Sequence, residues 1–247
     1  MGGTACALLD RRDRAHAVHA LRDLRCLNPD AGRGNHSEAS IRLAEADMTA
    51  LELDFQDTPI ALPEPTMSSC TLRNALQMRR STREFRPDSL TASLTAALLW
   101  AAAGVNRQAN GGRTAPTAHD NREIDVFAVT PQGAWLYDAP GHALLPVAAG
   151  DLRASTGEQA FVADAPLNLV YVADFKRAPE ATPQQREFLS AVAAGAMAQN
   201  VFLLAAAMKL GCVVRALIDR RHLAAALSLT PSQRILIAQT IGYPRAA

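Results

Sequence analysis

The chain has 247 residues, 49% hydrophobic and 20% charged, which is typical of a globular protein and excludes a disordered or fibrous one. Its formal net charge of +1 provides no overall field that would attract nucleic acid or an anionic membrane. Because only 5% of the residues are aromatic, alanine is expected to fill much of the core. The four cysteines, at positions 6, 26, 70 and 212, form no C-x-x-C pair, so neither a disulfide framework nor a metal site is expected.

The N-terminal part of the chain differs from the rest. It lacks the order of basic region, apolar core and cleavage site of a signal peptide, and no sufficiently apolar run approaches the roughly 20 residues that span a bilayer. We therefore expect a cytoplasmic protein without membrane contact, unless the true N-terminus carries an export signal. Residues 1–58 are predicted to be a poorly ordered appendage with a short helix over residues 41–51, and residues 59–247 to form the folded domain.

The folded part begins with an extended, proline-stiffened linker at residues 59–66 and then alternates between helical and strand patterns. Helices are predicted over residues 71–80, 91–103, 151–159, 184–210 and 219–227. Strands are predicted over residues 123–130, 134–138, 143–148, 167–173, 212–218 and 234–241. Gly104 stands where a C-cap glycine belongs, and the long helix 184–210 is apolar over most of its surface. The order of elements indicates a single α+β domain.

The densest polar cluster is the run RRSTREF at residues 79–85, directly after a predicted helix. If the backbone turns there, Arg79, Ser81 and Arg83 can converge on one anionic group, since a guanidinium presents a planar fork of donors that suits phosphate oxygens. A solvated arginine turn on the surface is the alternative, and composition alone does not decide between the two.

A second polar segment, RTAPTAHDN at residues 113–121, precedes the predicted strand 123–130. A Pro-Thr-Ala turn exposes backbone N–H groups and a hydroxyl that could bind the polar edge of a planar ring, and an ordinary Asx-type turn is the alternative. His119 and Asp120 lack a nucleophile at a recognisable spacing, so no catalytic triad is predicted. Neither a G-x-G-x-x-G nor a P-loop pattern is present, which argues against those two nucleotide sites.

Several motifs occur in an order that resembles the nitroreductase family of flavoproteins. They are RRSTREF, LLWAAAGVNR, RTAPTA, EIDVFAV, WLYDAPGHALLPVAAGDLR, LNLVYVAD, AAGAMAQNVFLLAAAMKLG, VVRALID and AQTIGYP. The resemblance covers roughly residues 60–244. It is strongest to a branch related to the azoline-oxidising, SagB-type dehydrogenases.

The resemblance implies an α+β sandwich with a mostly antiparallel central sheet flanked by helices, and a homodimer with flavin mononucleotide (FMN) at the interface. It also implies ping-pong transfer of electrons from NADH or NADPH through FMN to a nitroaromatic, a quinone or a similar small acceptor. The cofactor-binding residues that it implies are Arg79, Arg80, Ser81, Arg83, Pro116, Thr117, Ala118, Asp120, Asn121, Arg215, Ala216 and Arg245. No catalytic acid or base is assigned, because the flavin carries the hydride chemistry.

Three positions depart from the family pattern. Asp120 stands where relatives have an asparagine that contacts the ring, unless Asn121 takes that role, and a carboxylate there would disfavour negative charge on reduced flavin. Ala216 replaces a frequent glycine, and only Arg245 remains of a longer basic C-terminal arm. These departures motivate an alternative function, a catalytically degenerate flavin-binding or scaffold subunit. A nucleic-acid contact by the arginines is disfavoured because no aromatic residues are interleaved with them.

Overall fold

The computed structural model describes residues 55–245. The predicted helix at residues 41–51 and nearly all of the predicted appendage 1–58 lie outside this range. Within it, seven strands form one sheet in the order β1-β6-β5-β4-β7-β9-β8, and every neighbouring pair is antiparallel. The prediction of an α+β fold with a mostly antiparallel sheet is therefore confirmed.

Six of the nine strands in the described range follow predicted ones, and three short strands near its beginning were not predicted. The sheet contains β1 (Ile60–Ala61), β4 (Ile124–Thr130), β5 (Gly133–Asp138), β6 (Ala143–Ala149), β7 (Leu167–Asp174), β8 (Gly211–Arg215) and β9 (Gln233–Gly242), and a separate hairpin is formed by β2 (Val105–Arg107) and β3 (Gly112–Arg113). Strand β7 is buried over seven of its eight residues because both faces of the sheet are covered. Strand β8, in contrast, is the last strand at one edge of the sheet.

Five α-helices flank the sheet in the part of the chain described. They are α1 (Leu72–Met78), α2 (Ala92–Ala103), α3 (Phe161–Asp164), α4 (Pro183–Ala207) and α5 (Arg220–Ala226). Helices α1, α2 and α4 each begin after a threonine whose hydroxyl accepts a backbone N–H of the first turn, as an N-cap should. Helices α2 and α4 cover one face of the sheet with a largely aliphatic, alanine-rich core, and α5 covers the other face.

Gly104 ends α2 as predicted, but for a different physical reason. Its φ of −65° is ordinary, so the left-handed conformation of a C-cap glycine is not what requires it. A Cβ atom at this position would lie 2.2 Å from Cδ1 of Trp100, and only glycine allows the chain to pass so close to that ring.

Four predicted elements differ in extent. The helix predicted over residues 184–210 ends at Ala207, because Lys209 takes a left-handed conformation. The segment 151–159 is not an α-helix and contains only a short 3-10 turn, Arg153–Thr156. The strand predicted over residues 212–218 ends at Arg215, because the chain leaves the sheet before helix α5. The linker 59–66 contributes the short edge strand β1, which pairs with β6.

Helix α4 is long and apolar enough, by length and composition, to cross a membrane: its best 18-residue window has a mean hydropathy of 1.7, and 44% of that window is buried. A single helix of this kind is weak evidence for a membrane span, because core helices have the same composition. Here one face of α4 packs on the sheet through Ala194, Met197 and Val201. The opposite face exposes Phe188 and Val192, so α4 is only half covered within one chain.

Candidate functional site

The arginine-rich segment runs along the open edge of strand β8. The backbone N–H of Thr82 donates to the carbonyl of Cys212 at 2.9 Å, and Phe85 bridges to Pro244 just beyond β9. The N–H of Arg245 donates to the carbonyl of Glu84 at 3.1 Å. These contacts bring residues 79–85 and the C-terminal Arg245, which are far apart in sequence, to the same edge of the sheet.

A cavity of about 440 Å³ opens between this segment, the end of α4 and the start of β8. Its lining includes three cationic side chains, Arg79, Arg80 and Lys209. None of the three forms an ion pair with a carboxylate within residues 55–245. Cations that are gathered without counter-charges repel one another, so this arrangement is suited to an anionic group from outside the chain.

Apolar groups form another wall of the same cavity. The guanidinium carbon of Arg79 lies 5.4 Å from the ring centroid of Phe202 on α4, within cation–π range. Cys212 also lines the cavity, but its thiol is buried and accepts a hydrogen bond from Nε2 of Gln239. Burial raises the pKa of Cys212 to about 12, so the thiol stays protonated at neutral pH and is not a thiolate nucleophile.

Lys209 is a site residue that the sequence did not single out. It follows the end of α4 and has a φ of +59°, a left-handed conformation that is unusual for lysine. Its signal in the sequence is only its place between a long apolar helix and a buried strand. Ser81, Arg83 and Arg245, which the sequence did single out, are exposed beside the cavity and do not line it.

The outer edge of β8 continues from the cavity toward Ala216. Because Cys212 points its carbonyl outward to Thr82, the alternation of an antiparallel strand points the N–H and C=O of Val214 outward as well. Neither group of Val214 has a hydrogen-bond partner among the residues described. Ala216, directly after the strand, is exposed. The edge thus presents backbone donors and acceptors next to a cationic cavity.

Arg215 points away from that edge, into the protein. Its side chain is 5% exposed, and its guanidinium donates to oxygen atoms of Thr156, Asn168 and Thr240. The side chain of Arg215 therefore cannot make the direct cofactor contact that the resemblance implies. Ala216, in contrast, is accessible.

The loop that contains Pro116, Thr117, Ala118, Asp120 and Asn121 lies elsewhere and contributes nothing to the cavity wall. It forms a 3-10 turn over Ala118–Asp120. The hydroxyl of Thr117 accepts the backbone N–H of Arg122 at 3.0 Å, so part of its hydrogen-bonding capacity is used within the loop. Thr114, which comes just before this loop, is held to α4 because Nδ2 of Asn200 donates to its carbonyl at 3.2 Å.

Asp120 does not present an isolated negative charge. The guanidinium of Arg122 donates to both of its carboxylate oxygens, at 3.0 and 2.5 Å. The hydrogen bond from Arg122 lowers the pKa of Asp120, and the charges of Arg113 and Arg107 lower it further. Asp120 is therefore a carboxylate stabilised by neighbouring arginines rather than an isolated negative charge.

Comparison with known proteins agrees with this fold. The sequence model of the Nitroreductase family matches residues 76–243, and the chain belongs to this family. The chain is 46% identical to a candidate nitroreductase from Ralstonia eutropha, over 76% of this chain and 90% of that one, with a TM-score of 0.73.

Two more distant structures share the fold. One is a candidate nitroreductase from Desulfovibrio desulfuricans in complex with FMN, 21% identical over 72% of this chain and 89% of that one, with a TM-score of 0.53. The other is a chain of the Escherichia coli microcin synthetase McbBCD complex, 17% identical over 96% of this chain and 98% of that one, with a TM-score of 0.63. Together with the family match, they confirm a nitroreductase fold.

Proposed function

We propose that this chain is an FMN-dependent oxidoreductase that takes electrons from NADH or NADPH and passes them to a nitroaromatic, a quinone or a similar small acceptor. The observation that carries the proposal is the cavity at the edge of β8, where Arg79, Arg80 and Lys209 lie without carboxylate partners in the described range. Family membership provides the reaction class.

The residues present fit the two ends of FMN. A phosphate ester suits the three cations, since each charge-assisted hydrogen bond contributes about 1.5–3 kcal/mol. The outward N–H and C=O of Val214 suit the polar edge of the ring, and the small side chain of Ala216 leaves room for it. When bound, FMN would supply the hydride chemistry, so the protein needs position and charge rather than an acid–base pair.

A second copy of the chain is the partner that best fits helix α4. Phe188 is 68% exposed and Val192 is 56% exposed, on a face where Gly195 has open space around its Cα. Large apolar side chains beside a small residue allow two helices to approach closely. We infer that this face packs against a second copy and that the loop of residues 116–121 reaches the cofactor of that copy, because it lies away from the cavity of its own chain.

Sedimentation analysis tests the homodimer. Val192→Glu should convert a dimer to monomers at micromolar concentration, because it would bury a charge in an apolar contact. Ala225→Glu, an exposed position of helix α5 on the other face of the sheet, is the matched control and should leave the dimer intact. A wild-type protein that sediments as a monomer would contradict the proposal.

The visible spectrum of the purified protein tests the function. Reconstitution with FMN should give a yellow protein that bleaches when NADH or NADPH is added without oxygen. A protein that binds FMN but is bleached by neither nicotinamide would support the alternative of a degenerate or scaffold subunit. A protein that stays colourless after incubation with FMN would refute both flavin-based functions.

A further inference from the structure

Arg215 is a buried charge that the proposed function does not use. Its Nε donates to Thr240 Oγ1 at 2.8 Å, and its Nη2 donates to Asn168 Oδ1 at 2.8 Å and to Thr156 Oγ1 at 3.2 Å. Its Nη1 donates to the carbonyl of Thr156 at 2.6 Å. Gly157 makes room for this side chain, because a Cβ there would lie 2.0 Å from Nη1. Four hydrogen bonds therefore fix the guanidinium over β9 and β7, inward of β8 and on the face of the sheet that α5 covers.

All four acceptors are neutral, and no carboxylate pairs with Arg215 among residues 55–245. Burial lowers the pKa of Arg215 to about 10, which still leaves it charged at neutral pH. Two other arginines with little exposure differ: Arg153 is paired with Asp151 at 2.7 Å, and Arg177 with Asp125 at 2.7 Å. A buried cation with only neutral hydrogen-bond partners is costly to desolvate, which points to a role for its charge outside folding.

We propose that the uncompensated charge of Arg215 acts on the redox group bound at the edge of β8 and favours its negatively charged reduced form. This inference depends on the proposed function. Arg215 acts here through its charge and not through a contact with the ring, because its side chain points inward. The next residue, Ala216, is exposed at the edge where we propose that the flavin ring binds.

The physical reason is the low dielectric around the guanidinium. A charge that is held in the interior is screened much less than one in water, so its field reaches past β8 to the outer edge of the sheet. Two electrons from a reductant such as dithionite and one proton from water add one negative charge to the flavin ring. A fixed cation nearby stabilises that product more than the oxidised ring, and therefore raises the midpoint potential.

The midpoint potential of the FMN-loaded protein, measured by spectroelectrochemical titration, tests the inference. Arg215→Gln removes the charge, and we expect the preference for the reduced form over the oxidised form to fall about tenfold. For a two-electron couple this is a shift of about 30 mV to a more negative potential. A purely structural role would lower the melting temperature and leave the potential unchanged.

Two further variants keep the test decisive. Asn168→Asp places a carboxylate at the position 2.8 Å from Nη2, which neutralises the charge without removing Arg215, and should lower the potential in the same direction. Arg153→Gln is the control, because this arginine lies in the same 3-10 turn as Thr156 but is already paired with Asp151. It should leave the potential nearly unchanged.

The outcomes separate this inference from the proposed function. A protein that takes up no FMN refutes the function itself. The role of Arg215 alone is overturned if the FMN-loaded variant that folds, Arg215→Gln or Asn168→Asp, has the same midpoint potential as the wild type. It is also overturned if Arg153→Gln changes the midpoint potential by the same amount. If neither variant folds, the ratio of wild-type affinities for reduced and oxidised FMN decides: a preference for the reduced form supports the inference, and its absence overturns it.

Discussion

Two groups of basic residues in this protein have the same chemistry but different partners. At the edge of β8, Arg79, Arg80 and Lys209 line a cavity without carboxylates in the described range. At the β2–β3 hairpin, Arg122 holds Asp120 through both carboxylate oxygens, close to the charges of Arg113 and Arg107. The first group is arranged for an external anion, whereas the second fixes the conformation of its own loop.

If the proposed function holds, pairing and not the number of arginines distinguishes the binding site from a structural contact. An exposed pair such as Arg122–Asp120 contributes only about 0.2–1 kcal/mol. Cations without partners gain much more from a phosphate, and without one they repel each other. Removing charges from the two groups should therefore have very different effects.

The largest effect is expected from the double variant Arg79→Ala/Arg80→Ala. Loss of two charge-assisted hydrogen bonds should weaken FMN binding by about 3–6 kcal/mol, roughly a hundredfold to ten-thousandfold. FMN should then raise the melting temperature far less than in the wild type. Arg86→Ala is the matched control, because Arg86 is exposed and paired with Asp88. An unchanged flavin-induced shift in the double variant would refute the phosphate assignment.

Ser81 and Arg83 test how the cofactor extends beyond the cavity. Both are exposed in the described chain, although the family motif assigns them to the phosphate and the ribityl chain. Arg83→Ala should weaken FMN binding about tenfold if the phosphate extends past the cavity mouth, since it removes one charge-assisted bond. Isothermal titration with FMN measures this, and an affinity equal to wild type would confine the phosphate to Arg79, Arg80 and Lys209.

Lys209→Gly should separate binding from stability. The substitution removes one of the three cations and should weaken FMN binding about tenfold. The same change removes the left-handed strain at a φ of +59°, so the free energy of unfolding should not fall. Calorimetry in the absence and presence of FMN measures both quantities. A variant that loses stability but keeps its affinity would show that Lys209 is structural.

The smallest effect is expected from Asp120→Asn. The folded-state pKa of Asp120 is lowered, so its ionised form stabilises the protein above the unfolded pKa of about 3.9, and this contribution is lost as the pH falls through the lower folded value. The wild type should therefore be more stable than the variant at neutral pH by under about 1 kcal/mol, with the difference vanishing in acid. Urea titrations at several pH values measure it, with Asp88→Asn as the control. A difference that persists in acid would contradict the pairing with Arg122.

The sequence by itself determined the strands, the main helices and the family. Alternating or continuous apolar residues specify strands such as β4 and β7 whatever surrounds them, and the run from Arg79 to Phe85 carries its motif in adjacent residues. These features depend on local spacing, and local spacing is what a sequence displays directly.

Only the tertiary structure decided which charges are paired. Lys209 joins Arg79 because the turn between α4 and β8 lies beside the segment that follows α1, and Arg122 pairs with Asp120 within their loop. Arg215 turns inward because Gly157 leaves space for it. Electrostatic energy depends on distance and burial, and both are set by contacts between residues that are remote in the chain.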